Sequence, residues 1–208
     1  MSGQLNRRQM AWRIAQDLEE GMAVNLGIGS PELVAEFVPE GREIILHSEN
    51  GILGMGPAPR DNEIDPDLIN AGKKPITLVN GGSYFHHTDS FAMIRGGHID
   101  VCVLGAFQVS ANGDLANWAT DGGDKAPAVG GAMDLAVGAK RVFVLTDHCT
   151  RSGAPKILES CTYPLTGAGV VKRIYTDLAV IDITPDGLVV QAVIPGLSLD
   201  ELQGKPEA

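Results

Sequence analysis

The chain has 208 residues, which is enough for one α/β domain built on a single core. Its formal net charge of −10 disfavours a nucleic-acid partner, because binding to phosphate backbones needs clustered Lys and Arg. No apolar stretch approaches the roughly 20 residues of a membrane span, and no basic amphipathic helix indicates binding at a membrane surface.

In the first half of the chain, apolar spacing and turn residues predict alternating helices and strands. Apolar residues at every fourth position predict a helix over residues 7–22. Ser30 is predicted to be the N-cap, and Pro31 the first residue, of a second helix. Short apolar runs predict strands at residues 23–26, 43–46 and 76–79, with residues 57–75 mostly loop and residues 80–82 ending the third strand.

The second half of the chain continues the alternation and then changes to a hairpin. The patterns predict helices at residues 89–94 and 132–139, and strands at 101–104, 142–145, 178–183 and 188–193. The last two strands flank Pro185, Asp186 and Gly187, which form a strong turn signal. Ser198 and Glu201 have capping-box spacing, which predicts a last short helix.

Strands that are apolar throughout and separated by helices indicate an α/β fold with a largely parallel open sheet. Helices are expected on both faces of this sheet, with an antiparallel C-terminal hairpin, and residues 1–208 are expected to form one domain. Ligands of such sheets bind beyond the carboxyl ends of the strands. The three cysteines and the absence of a visible secretory signal indicate a reducing cytoplasm.

Glu49 is the most informative candidate for chemistry. It follows the predicted strand 43–46 and precedes the glycine-rich, apolar residues 51–56. A turn carboxylate is ordinarily a solvated charge. Here the neighbouring apolar side chains can exclude water, and a carboxylate in a dry pocket can act as a nucleophile that forms a covalent acyl intermediate.

Two other patterns have ordinary interpretations that we favour. Gly27 and Gly29 suggest a dinucleotide-binding turn, but Glu32 stands where the third glycine would be expected, so a simple strand-to-helix turn is the better interpretation. His86 and His87 are adjacent, so on a strand they would point to opposite faces and not share a metal. We therefore predict no metal site.

Two further stretches can assist a carboxylate nucleophile. Gly130, Gly131 and Ala132 open a predicted helix, where consecutive backbone N–H groups can stabilise an oxyanion without any side chain. Asn25 lies near the end of the first predicted strand, at the edge of the sheet where Glu49 is expected.

Several stretches, taken in order, resemble the second (B, or β) subunits of the 3-oxoacid CoA-transferases. Each stretch is modest alone, but together they are highly specific over roughly residues 10–203. They are residues 25–29 (NLGIG), 48–51 (SENG), 83–85 (SYF), 90–97 (SFAMIRGG), 113–118 (GDLANW) and 130–134 (GGAMD).

This resemblance implies a CoA-transferase fold, a partner A subunit in a hetero-oligomer, and ping-pong transfer of CoA between carboxylic acids. It implies no permanently bound cofactor, with coenzyme A as a substrate, and acyl-CoA and 3-oxo acids as the other substrates. Its motifs align Glu49 with the family's nucleophile. The remaining predicted site residues are Gly131 and Ala132 as catalytic backbone donors, and Asn25, Asn50, Gly51 and Gly130 as substrate contacts.

The expected acid is 3-oxoadipate, because residues 118–129 and the His86–His87 pair look more like the 3-oxoadipate enzymes than the acetoacetate enzymes. Its second carboxylate requires a cation, for which Arg95 and Lys125 are candidates, although an ordinary surface charge is the more usual role for each. The alternatives are the same reaction on acetoacetate or another short acid, a non-catalytic assembly subunit, and a metal-dependent hydrolase.

Overall fold

The chain folds around one large sheet. The structure is a computed structural model that describes residues 3–120 and 128–203. Within these residues the sheet contains nine strands: β1 (Ala23–Leu26), β2 (Ile45–Ser48), β3 (Ile52–Met55), β4 (Leu78–Tyr84), β5 (Val101–Leu104), β8 (Arg141–Leu145), β10 (Val171–Tyr175), β11 (Ala179–Thr184) and β12 (Gly187–Val193). A second, three-stranded sheet contains β6 (Gln108–Ser110), β7 (Leu115–Ala116) and β9 (Ile157–Leu158).

The order of the large sheet is β12-β11-β10-β8-β5-β1-β2-β3-β4. Its five central strands, β10 to β2, are parallel, whereas β11 and β12 at one edge and β3 and β4 at the other are antiparallel. The predicted largely parallel sheet with a C-terminal hairpin is therefore confirmed. The carboxyl ends of β1, β2, β5 and β8 lie side by side, which is where such sheets place ligands.

Helices cover both faces of the sheet, as predicted. Helix α1 (Arg7–Gln16) and a 3₁₀ helix (Ser30–Phe37) bury apolar side chains, including Met10, Ile14 and Val34, against one face. Helices α2 (His87–Arg95) and α3 (Ala132–Gly138) pack on the other face through Ile94 and Leu135. A last helix, α4 (Leu199–Gln203), follows the predicted capping box, in which the Glu201 N–H donates to Ser198 Oγ.

Two helix predictions in the first half of the chain are corrected. Helix α1 ends at Gln16, although Leu18 and Met22 are buried, so their spacing reflects core packing rather than continued helix. The second helix is a 3₁₀ helix whose N-cap is Gly29 at φ +94°, not Ser30. Among residues 3–120 and 128–203, no helix is both long and apolar enough to cross a membrane.

The antiparallel edge beside β2 was missed in the sequence. Residues 52–55 form a strand rather than an apolar loop, and residues 80–82 continue β4 rather than ending it. Glycines normally interrupt strands, but Gly54 and Gly81 at positive φ lie in a ladder whose register shifts between Leu53 and Met55. Strand β10 and the strands of the small sheet were also missed, because they are not continuous runs of apolar residues.

Candidate active site

Glu49 occupies the tight turn between β2 and β3. The turn closes through the Gly51 N–H, which donates to the Ser48 carbonyl at 3.0 Å. Gly51 has φ +112°, and a Cβ atom there would lie 2.1 Å from the Phe85 carbonyl oxygen. Only glycine fits this turn, and the turn directs the Glu49 side chain toward the end of β1 rather than into solvent.

Asn25 is brought to Glu49 by strand pairing. The register of the parallel strands β1 and β2 places Asn25 opposite His47, two residues before Glu49. The fully buried Asn25 donates from Nδ2 to Glu49 Oε2 at 3.4 Å and to His47 Nδ1 at 3.0 Å. The predicted polar neighbour of the carboxylate is therefore in contact with it.

His47 holds the Asn25 amide in this orientation. The ring is buried, and burial lowers the pKa of His47 to about 4, so the imidazole is neutral at physiological pH. Because Nδ1 accepts from the Asn25 amide, Nε2 carries the proton and donates to Ser90 Oγ at 2.8 Å. A chain of hydrogen bonds thus runs from Ser90 through His47 and Asn25 to Glu49.

The surroundings of Glu49 raise its pKa, because burial disfavours the carboxylate. The hydrogen bond from Asn25, a backbone hydrogen bond of Glu49 itself and the charge of His87 lower it in part, and the charge of Glu32 opposes them. The only side-chain hydrogen bond to Glu49 found among the described residues is the long one from Asn25. A carboxylate that is poorly solvated and weakly bonded has lone pairs available for nucleophilic attack.

A cavity of about 620 Å³ opens at the carboxyl ends of the central strands and contains Glu49 in its wall. Its lining includes Gly27 after β1, Gly105 after β5, Thr146 after β8, and the predicted residues Gly130, Gly131 and Ala132 at the start of α3. A Cβ atom on Gly131 would lie 3.9 Å from Glu49 Oε1 and 2.9 Å from the Phe91 ring. The α3 N-terminus therefore closely approaches the carboxylate.

Some predicted site residues lie elsewhere. The Asn50 amide donates to the Ile69 carbonyl at 2.7 Å, and neither Asn50 nor Gly51 lines the cavity. Arg95 is exposed and forms an ion pair with Asp134 at 2.7 Å, so it is a surface charge. Lys125 lies outside the described residues.

Several residues of the site were missed in the sequence. His47 and Ser90 were hidden within a strand and a helix, where a single polar residue carries no positional signal. Lys156, which also lines the cavity, follows a loop that no pattern connected to the site. The one available clue to His47 was its position two residues before Glu49, a spacing that puts both side chains on the same side of an extended chain.

No metal site is found within the described part of the chain, where no three His, Cys, Asp or Glu side chains cluster. His86 caps α2 by accepting from the Thr88 N–H, and the His87 ring packs on Phe91 with 4.8 Å between centroids. The two adjacent histidines thus have separate local contacts. Burial raises the pKa of the Cys102 thiol far above its ordinary value, so Cys102 is a neutral core residue.

The sequence matches the family model described as coenzyme A transferase over residues 7–205. The B subunit of the 3-oxoadipate CoA-transferase of Acinetobacter baylyi is 60% identical over 199 residues, covering 96% of this chain and 92% of that protein. The B subunit of the succinyl-CoA:3-ketoacid coenzyme A transferase of Helicobacter pylori is 50% identical over 202 residues, covering 97% of each chain. The crystal structure of an acyl-CoA transferase from Escherichia coli O157:H7 has the same fold, with a TM-score of 0.73 at 21% identity over 97% of this chain, which spans 40% of that longer one.

Proposed function

This chain belongs to the coenzyme A transferase family of enzymes, and we propose that it acts on 3-oxoadipate and succinyl-CoA through a covalent intermediate on Glu49. In this proposal the chain is a single-domain B subunit that works with an A subunit in the cytoplasm. Coenzyme A enters as a substrate and no cofactor is permanently bound. The observation that carries the proposal is a partly buried carboxylate with a raised pKa in the wall of the cavity at the carboxyl ends of the central strands.

The reaction begins with attack of a Glu49 carboxylate oxygen on the thioester carbonyl of succinyl-CoA. The carbon–sulfur bond breaks, CoA leaves as a thiolate, and a mixed anhydride joins succinate to Glu49. The thiolate then attacks the Glu49 carbonyl carbon and displaces succinate, leaving CoA bound to Glu49 as a thioester. An incoming 3-oxo acid repeats the two steps in reverse and departs as its CoA thioester.

The surroundings of Glu49 suit these steps. Burial leaves the carboxylate poorly solvated, which favours attack on a carbonyl. Each tetrahedral intermediate carries an oxyanion, for which the backbone N–H groups of Gly131 and Ala132 are the proposed donors. The apolar side chains of Ile28, Leu104 and Phe107 line the same cavity and protect the anhydride and the thioester from hydrolysis.

The choice of 3-oxoadipate is supported by the name and high identity of the Acinetobacter relative. The Helicobacter relative supports a second candidate, the same reaction on a shorter 3-keto acid such as acetoacetate. Turnover of the purified A–B complex with each acid and succinyl-CoA distinguishes the two. A clearly higher kcat/KM for acetoacetate would replace the first assignment with the second.

Trapping of the intermediate tests the mechanism directly. The complex is incubated with succinyl-CoA, digested, and analysed by mass spectrometry. We expect a CoA-sized mass increase on the peptide that contains Glu49, and its loss in Glu49→Gln. The exposed Glu63 provides a matched control, since Glu63→Gln should label normally. An unmodified Glu49 peptide in an active complex would instead favour a non-catalytic assembly role for this chain.

A further inference from the structure

Lys156 is a half-buried cation in the wall of the cavity that holds Glu49. Its Nζ donates to the Ala106 carbonyl at 3.2 Å and to Thr146 Oγ1 at 3.0 Å, and both acceptors are neutral. Of the residues whose positions are described, none places a carboxylate oxygen within 4.0 Å of Nζ. The ammonium group is thus held by neutral groups and has no counter-ion in contact with it.

The cavity has one other cation among its described lining residues, and that cation is already neutralised. Arg7 forms an ion pair with Asp147 at 2.5 Å and also donates to Ser30. An ammonium group has three N–H bonds, and the two neutral acceptors of Lys156 use two of them. Burial lowers the pKa of Lys156, the charge of Arg7 lowers it further, and the more distant charges of Asp147 and Asp177 compensate only in part. An anion that reached the third N–H bond would complete this compensation.

We propose that Lys156 binds the distal carboxylate of the dicarboxylic substrates, the one that does not react with Glu49. This inference rests on the proposed function and identifies its specificity residue. Succinyl-CoA and 3-oxoadipyl-CoA both carry a free carboxylate at the end of the acyl chain, and acetoacetyl-CoA carries none. Lys156 would therefore select for dicarboxylic acids, whereas Arg95 lies at the surface.

The sheet order separates Lys156 from Glu49 along the cavity. Glu49 contacts Asn25 of β1, whereas Lys156 contacts the residues that follow β5 and β8, the next two strands along the sheet. Lys156 is therefore placed to contact a group of the substrate other than the one that reacts with Glu49.

The test compares how the A–B complex loads CoA onto Glu49 from succinyl-CoA, 3-oxoadipyl-CoA and acetoacetyl-CoA. In Lys156→Met, we expect kcat/KM for the first two thioesters to fall by about 10- to 100-fold, as for loss of a hydrogen bond to a charged group. For acetoacetyl-CoA, we expect it to stay within about twofold. Lys156→Arg should retain part of the preference for the distal carboxylate.

Lys140→Met is the matched control, because Lys140 forms an exposed ion pair with Asp100 away from the cavity lining. It should leave all three substrates unchanged. Equal losses for the three thioesters in Lys156→Met, or none, would overturn the assignment while Glu49 labelling in the wild type persisted. Absence of labelling in the wild type would overturn the proposed function and this inference together.

A second measurement uses the wild-type complex and does not depend on a folded variant. Succinyl-CoA is compared with its distal methyl ester, which has a similar shape but no charge. We expect the free carboxylate to be preferred, and the preference to decline as pH rises and Lys156 loses its proton. Equal use of acid and ester across the pH range would contradict the inference.

Discussion

Glu49 and Asp17 are two partly buried carboxylates whose environments have opposite effects. Among the described residues, Glu49 accepts one side-chain hydrogen bond, the long one from Asn25, and burial raises its pKa. Burial would also raise the pKa of Asp17, but hydrogen bonds from Arg13 and Tyr175 outweigh it, and the pKa is lowered. The Asp17 oxygens lie 2.5 Å from Arg13 and 2.7 Å from the Tyr175 hydroxyl.

This difference separates a structural carboxylate from the one that we propose to be reactive. Asp17 also pairs with Arg173 at 3.1 Å, so its lone pairs are committed to cations and a hydroxyl that connect α1 to β10. Glu49 is partly buried, but the one hydrogen bond that it accepts from a described side chain comes from the neutral amide of Asn25. Burial alone therefore does not identify a nucleophile, and the number and charge of the donors around a carboxylate decide its role.

Substitutions at the two carboxylates should give the largest effects, one on transfer activity and the other on the unfolding free energy. Glu49→Gln should lower transfer activity by about 1,000-fold or more, since the amide is not a nucleophile. Its unfolding free energy at pH 7 should not fall, because a group whose folded pKa is raised destabilises the fold once it is ionised. Steady-state assays of the complex and denaturant unfolding measure the two effects.

Asp17→Asn should do the reverse, with transfer activity retained and the unfolding free energy reduced by about 2 kcal/mol, because two arginines lose their anionic partner. If Asp17→Asn were to abolish chemistry while leaving stability intact, the division between the two carboxylates would be wrong.

The turn that presents Glu49 should be intolerant of any side chain at Gly51. Gly51→Ala places a Cβ against the Phe85 carbonyl at a φ that side chains rarely adopt, so we expect a loss of roughly 3 kcal/mol in unfolding free energy. Gly41→Ala is the control, because Gly41 also has positive φ, at +79°, but open space around it. There we expect about 1 kcal/mol, from the backbone conformation alone.

His47 should make stability depend on pH. Its folded pKa of about 4 lies below the ordinary value of 6.5, so the stabilisation is present above pH 6.5 and is lost as pH falls toward 4. Between pH 7 and pH 5 the unfolding free energy should decline by about 2 kcal/mol from this residue. His47→Gln should remove that slope, whereas His98→Gln, at an exposed histidine, should preserve it. An unchanged slope in His47→Gln would assign the pH dependence to other groups.

A carboxylate at the surface should give the smallest effect. Glu36 pairs with Arg8 at 2.7 Å, but both side chains are about half exposed. We expect Glu36→Gln to change the unfolding free energy by less than about 0.5 kcal/mol and to leave transfer activity unchanged. A loss of unfolding free energy as large as that of Asp17→Asn would contradict this expectation. It would mean that a carboxylate stabilises the fold through any nearby arginine, whether or not the ion pair is buried.

The sequence predicted the central sheet well because its strands are continuous apolar runs. The strand at residues 101–104 has its predicted bounds, and every bound of the two hairpin strands lies within one residue of its prediction. Strand β3 was missed and β4 was predicted to end too early because both contain glycines, and β10 was missed because it contains charged residues. Their partners in the sheet, rather than their own propensities, make them strands.

The parts of the candidate site that could be predicted are those that stand at the ends of predicted strands and helices. Glu49 and the Gly130–Ala132 segment stand at strand and helix ends, and the structure brings them to one cavity. Their catalytic roles remain predictions. His47 and Lys156 were not predicted, because their contacts come from residues distant in the sequence: Ser90 and Asn25 contact His47, and Ala106 and Thr146 contact Lys156.

The order of β8, β5, β1 and β2 in the sheet has a consequence for how the chain folds. Parallel neighbours require crossover connections, so the cavity wall is formed by residues as far apart in the chain as Arg7 and Lys156. During synthesis the Glu49 turn emerges early, but the cavity around Glu49 is complete only after β8 has joined the sheet. Folding should accordingly be slow, and a truncated product ending before β8 would carry an intact Glu49 hairpin sequence with no competent site.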